Sequence, residues 1–416
     1  MNEKLYNYLK EHDFYLNKGE FRYCTELYGK EEFRITIAKY VEQERPPFPF
    51  RELQYSDMIY NFRKLQKADY SKFITPIDHP TDHLENEVIE KYDDYKYSFR
   101  NFGIGIINTP SVFNACSDYF MNQLRLRCGS YGFMAPAQVW EQGNWKRVWS
   151  SIGGLWRGVN TSQDLSPKSV MEVLRLGTYI ATQFKPIVAK TIYNMTDAKT
   201  VLDTSMGWGD RLAGFYASNA THYIGCDPNP NTFQIYSEMV KEFDKLAPGK
   251  TVQFHRCGAE DLPWDMIKDV DCAFTSPPYF STERYNEGGK FEEDQSWSKF
   301  NHYERWRDEF YLPVAINSFT SLSDKGFLMT NIMDPKVKGT RYHSCDELVD
   351  SLRPNFLGQL GMRIMQRPQG KNVFKTKEEL EKFMAKSYIE NVWCFGKNTD
   401  LDLFRHTRRA TLESLF

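Results

Sequence analysis

A chain of 416 residues, 41% apolar and 26% charged, has enough material for two or three domains with real cores. Its net charge of −2, from 53 basic and 55 acidic residues, excludes a histone-like polycation, so a polyanion would have to meet a local basic patch. No apolar run reaches about 18 residues, which excludes a membrane-spanning helix and any membrane partner of that kind. The start, MNEKLYNYLKEHDF, mixes charges throughout and lacks the apolar stretch of a signal peptide, so a cytoplasmic protein is expected. Eight cysteines are scattered with no C-x-x-C pair, so neither a structural zinc site nor any other metal is expected.

Taken in chain order, residues 1–14 and 55–70 have helical character. The segments QERPPFPF (43–50) and ITPIDHPTDH (74–83) are proline-punctuated loops. Residues 101–160 are rich in Gly, Asn, Ser and aromatics, with no sustained period. Within them, Arg125, Arg127, Lys146, Arg147 and Arg157 are interleaved with Trp140, Trp145, Trp149 and Trp156. Basic and aromatic side chains in such a setting suit phosphate contact and base stacking, which makes Arg125, Arg127, Trp145, Lys146, Arg147 and Arg157 candidate nucleic-acid contacts. The same tryptophans also suit a small domain's core.

Near residue 165 the pattern changes. Ser166-Pro167 reads as a helix N-cap with proline at the first helical position, followed by Val170, Val173, Leu174, Gly177, Ile180 and Ala181 at helical spacing. Strand-like runs then alternate with helical stretches: TVLD (200–203), HYIGCD (222–227), VQFHR (252–256), VDCAFT (270–275) and GFLMTNI (326–332). That alternation is the mark of βαβ units and a mostly parallel sheet. A helix should open near Asn231, and Pro313 should bend a long helix carrying Trp306, Phe310, Val314 and Phe319. MRIMQ (362–366) and NVWCF (391–395) complete the sheet as an antiparallel pair. The expected organisation is an irregular, α-rich N-terminal domain over 1–164 and a Rossmann-like α/β domain with seven strands over 165–416.

Residues 201–214, VLDTSMGWGDRLAG, run from a strand through Gly207 and Gly209 into a helix. Glycines there let the backbone turn sharply and let a bulky ligand come close. The next strand ends in Asp227, about 20 positions on, where nucleotide-binding α/β folds place the carboxylate that grips ribose hydroxyls. A nicotinamide dinucleotide would want a third glycine, where Leu212 stands, and would be repelled by the flanking Asp203 and Asp210. Those acids suit the ammonium and sulfonium of S-adenosylmethionine. After the third strand, in CGAEDLP (257–263), Glu260 and Asp261 are candidates for the adenine amino group.

The fourth strand runs into Thr275-Ser276-Pro277-Pro278-Tyr279-Phe280. Two prolines fix their own φ, hold the preceding residue extended and remove two donors, so a rigid segment sits at the C-terminal sheet edge where ligands bind. An exocyclic amine on a nucleobase is a poor nucleophile because its lone pair is delocalised into the ring. Acceptors on its two N–H bonds, a serine hydroxyl and a backbone carbonyl, favour a pyramidal nitrogen, and a tyrosine face sets the plane of the base.

In the order VLDTSMGWGD, HYIGCD and TSPPY, the chain resembles the class I S-adenosylmethionine-dependent amino-methyltransferases that act on DNA bases. The resemblance covers about residues 165–400 and includes the closing pair MRIMQ and ENVWCFGK. It implies S-adenosylmethionine bordered by Asp203 and Gly207–Gly209, with Asp227 on the ribose. It implies Ser276, Pro277, Pro278 and Tyr279 at the target amine. Phe184-Lys185-Pro186, on the helix before the first strand, resembles the family's additional cofactor motif. A serine ahead of Pro-Pro-Tyr is more typical of cytosine-N4 members; aspartate or asparagine is commoner in adenine-N6 members. Gly258 departs from the family's frequent acid in the third loop, and the spare sequence lies before the catalytic part. The expected partner is DNA, with RNA as an alternative. An inert nucleic-acid-binding subunit and a nicotinamide-dependent dehydrogenase are the other classes considered.

Overall fold

A computed structural model describes residues 1–75, 97, 104–364 and 388–399. The chain divides into two compact units: residues 1–54, 121–182 and 284–292 in one, and 55–120, 183–283 and 293–416 in the other. This division does not coincide with a boundary at 164/165, because residues 55–120 belong to the α/β unit.

The first unit is regular, not irregular. Helices Glu3–Glu11, Lys18–Tyr28, Lys30–Glu44, Pro136–Gln142, Trp145–Ser151 and Pro167–Gly177 build it. Asn2, Asn17, Asn144 and Ser166 cap four of them by accepting a backbone N–H in the first turn. Leu5, Phe14, Phe33, Ile37, Trp140, Val148, Leu155 and Val173 share one apolar core. Helices Pro136–Gln142 and Trp145–Ser151 are too short to show a sustained period, which is why residues 101–160 showed none.

In the second unit the strands are β1 (Ile74–Thr75), β2 (Gly105–Asn108), β3 (Thr200–Asp203), β4 (His222–Cys226), β5 (Thr251–His255), β6 (Val270–Thr275), β7 (Leu322–Asn331), β8 (Lys336–Val337), β9 (Thr340–Arg341), β10 (Phe356–Ile364) and β11 (Tyr388–Gly396). Nine form one sheet in the order β1-β2-β10-β11-β7-β6-β3-β4-β5, and β8 and β9 form a separate ribbon. Strands β5, β4, β3, β6 and β7 are mutually parallel, and β11 enters antiparallel between β7 and β10. This is the Rossmann-like α/β domain expected, with its seven strands, extended by β1 and β2 from the upstream sequence. The last two residues of the run 362–366 lie outside the described residues.

Helix Tyr55–Lys67 belongs to this unit for a visible reason. Phe62 stacks on Phe243 with ring centroids 4.8 Å apart. The buried Lys190 ammonium donates to the carbonyls of Leu65, Gln66 and Ala68 at 2.6–2.7 Å, satisfying acceptors that the helix end leaves unpaired. Gly214 lets helix Asp210–Ala217 approach helix Pro186–Met195: a Cβ there would lie 2.6 Å from Ala189 Cβ. Ahead of Pro313, residues Trp306–Tyr311 are wound as a π-helix before the α-helix Leu312–Thr320. The expected disturbance of that helix is thus a π-turn.

Candidate active site

The C-terminal ends of β3, β4, β5 and β6 bring together the glycine loop, Asp227, the Glu260 loop and the Pro-Pro-Tyr segment, all within the α/β unit. Gly207 and Gly209 both have positive φ, 54° and 73°, a region costly for any other residue. A Cβ on Gly209 would also lie 2.7 Å from Met239 Sδ. Three bonds fasten the loop to its neighbours. Gly207 N–H donates to Asp227 Oδ2 at 2.8 Å, Tyr236 O–H donates to the Gly207 carbonyl at 2.6 Å, and Met206 N–H donates to the Cys226 carbonyl at 3.0 Å.

Asp203 does not present its carboxylate to a ligand. It is fully buried, accepting from Arg211 Nε at 2.9 Å, Tyr223 O–H at 2.7 Å and Ser205 N–H at 3.1 Å. Its role is to hold the turn. Asp210 is likewise buried at the start of its helix, accepting from Ser117 Oγ and from Gln183 Nε2. Both flanking carboxylates are thus engaged inside the protein, Asp203 by Arg211 and Asp210 by Ser117 and Gln183. Sequence reading gave no hint of Ser117 or Gln183, which reach the loop from far off in the chain.

Asp227 keeps its expected place at the end of β4. Its Oδ1 accepts from Asn229 N–H at 2.9 Å and from Thr232 Oγ1 at 3.3 Å. Burial raises its carboxyl to about 6, although the backbone N–H groups of Asn229 and Gly207 pull the other way. The helix that follows is capped by Asn229, so Asp227 is not its N-cap.

The two third-loop candidates separate. Lys299 Nζ reaches Glu260 Oε1 at 2.6 Å and the exposed Asp261 at 2.9 Å. Glu260 Oε2 is buried with no hydrogen-bond partner among the described residues, an acceptor awaiting a donor. A Cβ at Gly258 would collide with that carboxylate, so the glycine makes room for Glu260. Phe184 and Lys185 stand just before helix Pro186–Met195 rather than on it, because the residue before a proline prefers extended backbone and Lys185 adopts it. The Phe184 ring centroid lies 5.0 Å from the Arg211 guanidinium and 5.6 Å from the Phe274 ring.

The Pro-Pro-Tyr segment sits beside the glycine loop. Ser205 Oγ donates to the Ser276 carbonyl at 2.8 Å and lies 2.6 Å from Thr275 Oγ1. Pro277 is buried, whereas Ser276, Pro278 and Tyr279 are half-buried. Ser276 Oγ has no hydrogen bond among the described residues. Tyr279 O–H donates to Asn331 Oδ1 at 3.2 Å. Phe280 carries φ of +51°, an outlier for an aromatic residue, and Tyr303, Trp306 and Tyr342 hold its ring at 5.7–5.8 Å. Such strain costs roughly 1–3 kcal/mol and collects at functional sites. Asn331 escaped the sequence reading, although a polar residue ending a strand at this edge was the available signal.

In the first unit the basic-aromatic candidates divide. Arg125 is buried, donating to the Ala181 carbonyl and Asn122 Oδ1, each at 3.4 Å, so it is a structural residue and not a groove contact. Arg127 is paired with Glu141 at 2.7 Å and covers Phe50. Trp140 lies in the core, its Nε1 donating to the Pro46 carbonyl at 2.8 Å. Trp145 is half-buried against the same core under Lys39. Lys146, Arg147 and Arg157 are exposed.

Among the described residues no cluster of His, Cys, Asp or Glu could hold a metal ion, and no helix is long and apolar enough to cross a membrane. All eight cysteines are free thiols. No protein-family model matches the chain, and no curated protein matches it. Among solved structures it is similar to an S-adenosylmethionine-dependent O-methyltransferase from Thermotoga maritima, at 12% identity and a TM-score of 0.31, over 53% of this chain and 68% of that one. It is also similar to TrmN from Thermus thermophilus, at 15% identity and a TM-score of 0.29, over 51% of this chain and 49% of TrmN. An rRNA methylase from Streptococcus thermophilus aligns at 12% identity and a TM-score of 0.28, over 52% of this chain and 99% of that one.

Proposed function

We propose that this protein is an S-adenosylmethionine-dependent methyltransferase acting on the exocyclic amino group of a DNA base, with cytosine N4 as the target. One observation carries the reading: Ser205 ties the glycine loop to Ser276, so the donor site and the amine cradle are neighbours. When bound, S-adenosylmethionine supplies an electrophilic methyl group on its sulfonium.

The chain's own residues do the rest. Asp227 accepts the ribose hydroxyls, and the unpartnered Glu260 Oε2 accepts the adenine amino group. Gly207 and Gly209 let the ligand lie against bare backbone. Ser276 Oγ and the Pro277 carbonyl are the acceptors offered to the target amine, the Ser276 carbonyl already receiving Ser205. Tyr279, its hydroxyl held by Asn331, offers a ring face to the base. A base within a duplex must leave the stack to reach this edge, at a cost of a few kcal/mol. Lys146, Arg147 and Arg157 are the phosphate-contact candidates that remain.

Calorimetric titration with S-adenosylmethionine, followed by transfer of labelled methyl to unmodified DNA, tests the reading. Binding with transfer supports it. Binding without transfer leaves an inert subunit, and no binding refutes the cofactor.

A further inference from the structure

The loop 257–263 leaves β5 beside Asp227, whose N–H donates to the His255 carbonyl at 3.2 Å. Ala259–Asp261 form one tight turn, and Ala259 and Leu262, on either side of Glu260 and Asp261, are buried in the same core as Phe300. Phe300 directly follows the short helix Ser296–Lys299, and its ring stacks on Phe310 at 5.6 Å. The backbones that carry Glu260 and Lys299 are therefore anchored in one core.

Lys299 closes the gap between them. Its Nζ lies 2.6 Å from Glu260 Oε1 and 2.9 Å from Asp261 Oδ2. The two acids are unlike: the Asp261 side chain is 60% exposed, the Glu260 side chain only 13%. A pair between exposed groups contributes little, so the contact of consequence is the one to Glu260.

The last torsion of a glutamate is broad and nearly two-fold, so an unrestrained carboxylate turns freely. Here two features set it. Lys299 takes Oε1, and the missing Cβ of Gly258 leaves the space that the carboxylate fills. Oε2 is the oxygen left over, buried and with no hydrogen-bond partner among the described residues. A carboxylate oxygen only accepts, so what completes it must be an N–H or O–H.

We propose that Lys299 is a positioning residue for cofactor recognition: by holding Glu260 through Oε1 it keeps Oε2 turned to the adenine amino group of S-adenosylmethionine. This rests on the Glu260 contact proposed above. The consequence is selectivity at one ring position. Adenine offers N–H donors there, whereas hypoxanthine offers a carbonyl oxygen that a fixed carboxylate oxygen repels. With Lys299 gone, Glu260 can turn away and the distinction fades.

The test measures, by calorimetry, the affinities of S-adenosylhomocysteine and of S-inosylhomocysteine, in which a carbonyl oxygen replaces the amino group. Wild type should prefer the adenosyl ligand by about tenfold or more. Lys299→Met should weaken adenosyl binding by about tenfold while leaving inosyl binding nearly unchanged, so that the preference collapses. Lys299→Arg, which restores a cation to Glu260, should keep the preference within about threefold of wild type. Glu260→Gln should lose it. A Lys299→Met protein that keeps the wild-type preference, whether its two affinities hold or fall together, would overturn the proposal, because a purely structural role affects both ligands alike. A wild type with no preference would refute the Glu260 contact itself, and a wild type that binds neither ligand would refute the cofactor.

Discussion

The hydroxyl of Ser205, in the glycine loop, donates to the carbonyl of Ser276 at 2.8 Å, so the loop after β3 and the Pro-Pro-Tyr segment after β6 are one connected structure. Under the proposed function, this single side chain would set the spacing between a donor on the glycines and an amine at Ser276.

Removing that link should separate geometry from binding. Ser205→Ala loses a bond worth about 1 kcal/mol and frees the Ser276 segment to shift. Misplacement of reacting groups is costly, so kcat should fall by about tenfold or more, with S-adenosylmethionine affinity nearly unchanged. Single-turnover rates beside calorimetric affinities check this; an unchanged rate would remove Ser205 from the account.

Ser276→Ala removes an acceptor from the amine itself. Turnover should drop by about 100-fold, in the range found for a lost preorganised hydrogen bond at a reacting group, while cofactor affinity holds. Equal losses of rate and affinity would contradict the assignment.

Asp227 makes a prediction about pH. Its folded value of about 6 lies above its ordinary 3.8, so the folded state holds the proton more tightly than the unfolded chain. Between those values this group lowers stability as pH rises. Ribose hydroxyls donate to the ionised form, so S-adenosylmethionine affinity should weaken by up to about tenfold per pH unit below the folded value. Titrations across that range measure it, and Asp227→Ala should remove the slope along with most of the affinity. A flat profile would reassign the ribose contact.

Arg211 and Asp203 form a buried pair at 2.9 Å beneath the glycine turn. Arg211→Leu leaves the Asp203 carboxylate uncompensated and should destabilise the protein by about 3–5 kcal/mol. Chemical denaturation measures the loss. A change under about 1 kcal/mol would mean the pair contributes little to holding the turn.

In the first unit, Trp140 and Arg157 should behave oppositely. Trp140→Ala opens a core cavity and should cost about 3–5 kcal/mol. Paired Lys146→Glu and Arg157→Glu substitutions should leave the melting temperature in place, weaken DNA binding and flatten its salt dependence. Unchanged DNA binding would place the nucleic-acid surface elsewhere.

The α/β unit was legible because its strands alternate with helices of clear period, and TVLD and VDCAFT fall where β3 and β6 are. The positions of Asp227 and Ser276 were legible because each directly follows a strand at the edge where the parallel strands end. Asp203 and Arg125 were misread for one reason: sequence shows charge but not burial, and both charges are spent inside the protein. Asn331 was missed because it sits in an apolar run that reads as sheet filler, and only the fold brings it to the Tyr279 hydroxyl. The first half was hard to read because helix Lys30–Glu44 buries Phe33, Thr36, Ile37, Ala38, Tyr40 and Val41 with no single apolar stripe, and because helix Tyr55–Lys67 and strand β2 pack on elements far along the chain.

Nucleoside mass spectrometry of DNA from cells expressing wild type or Ser276→Ala protein shows whether Ser276 serves methylation of a base amine. N4-methylcytosine is expected with wild type and should be lost with the variant. N6-methyladenine would keep the chemistry and change the base. DNA with no methylated exocyclic amine, from cells making a protein that binds S-adenosylmethionine, would contradict the claim.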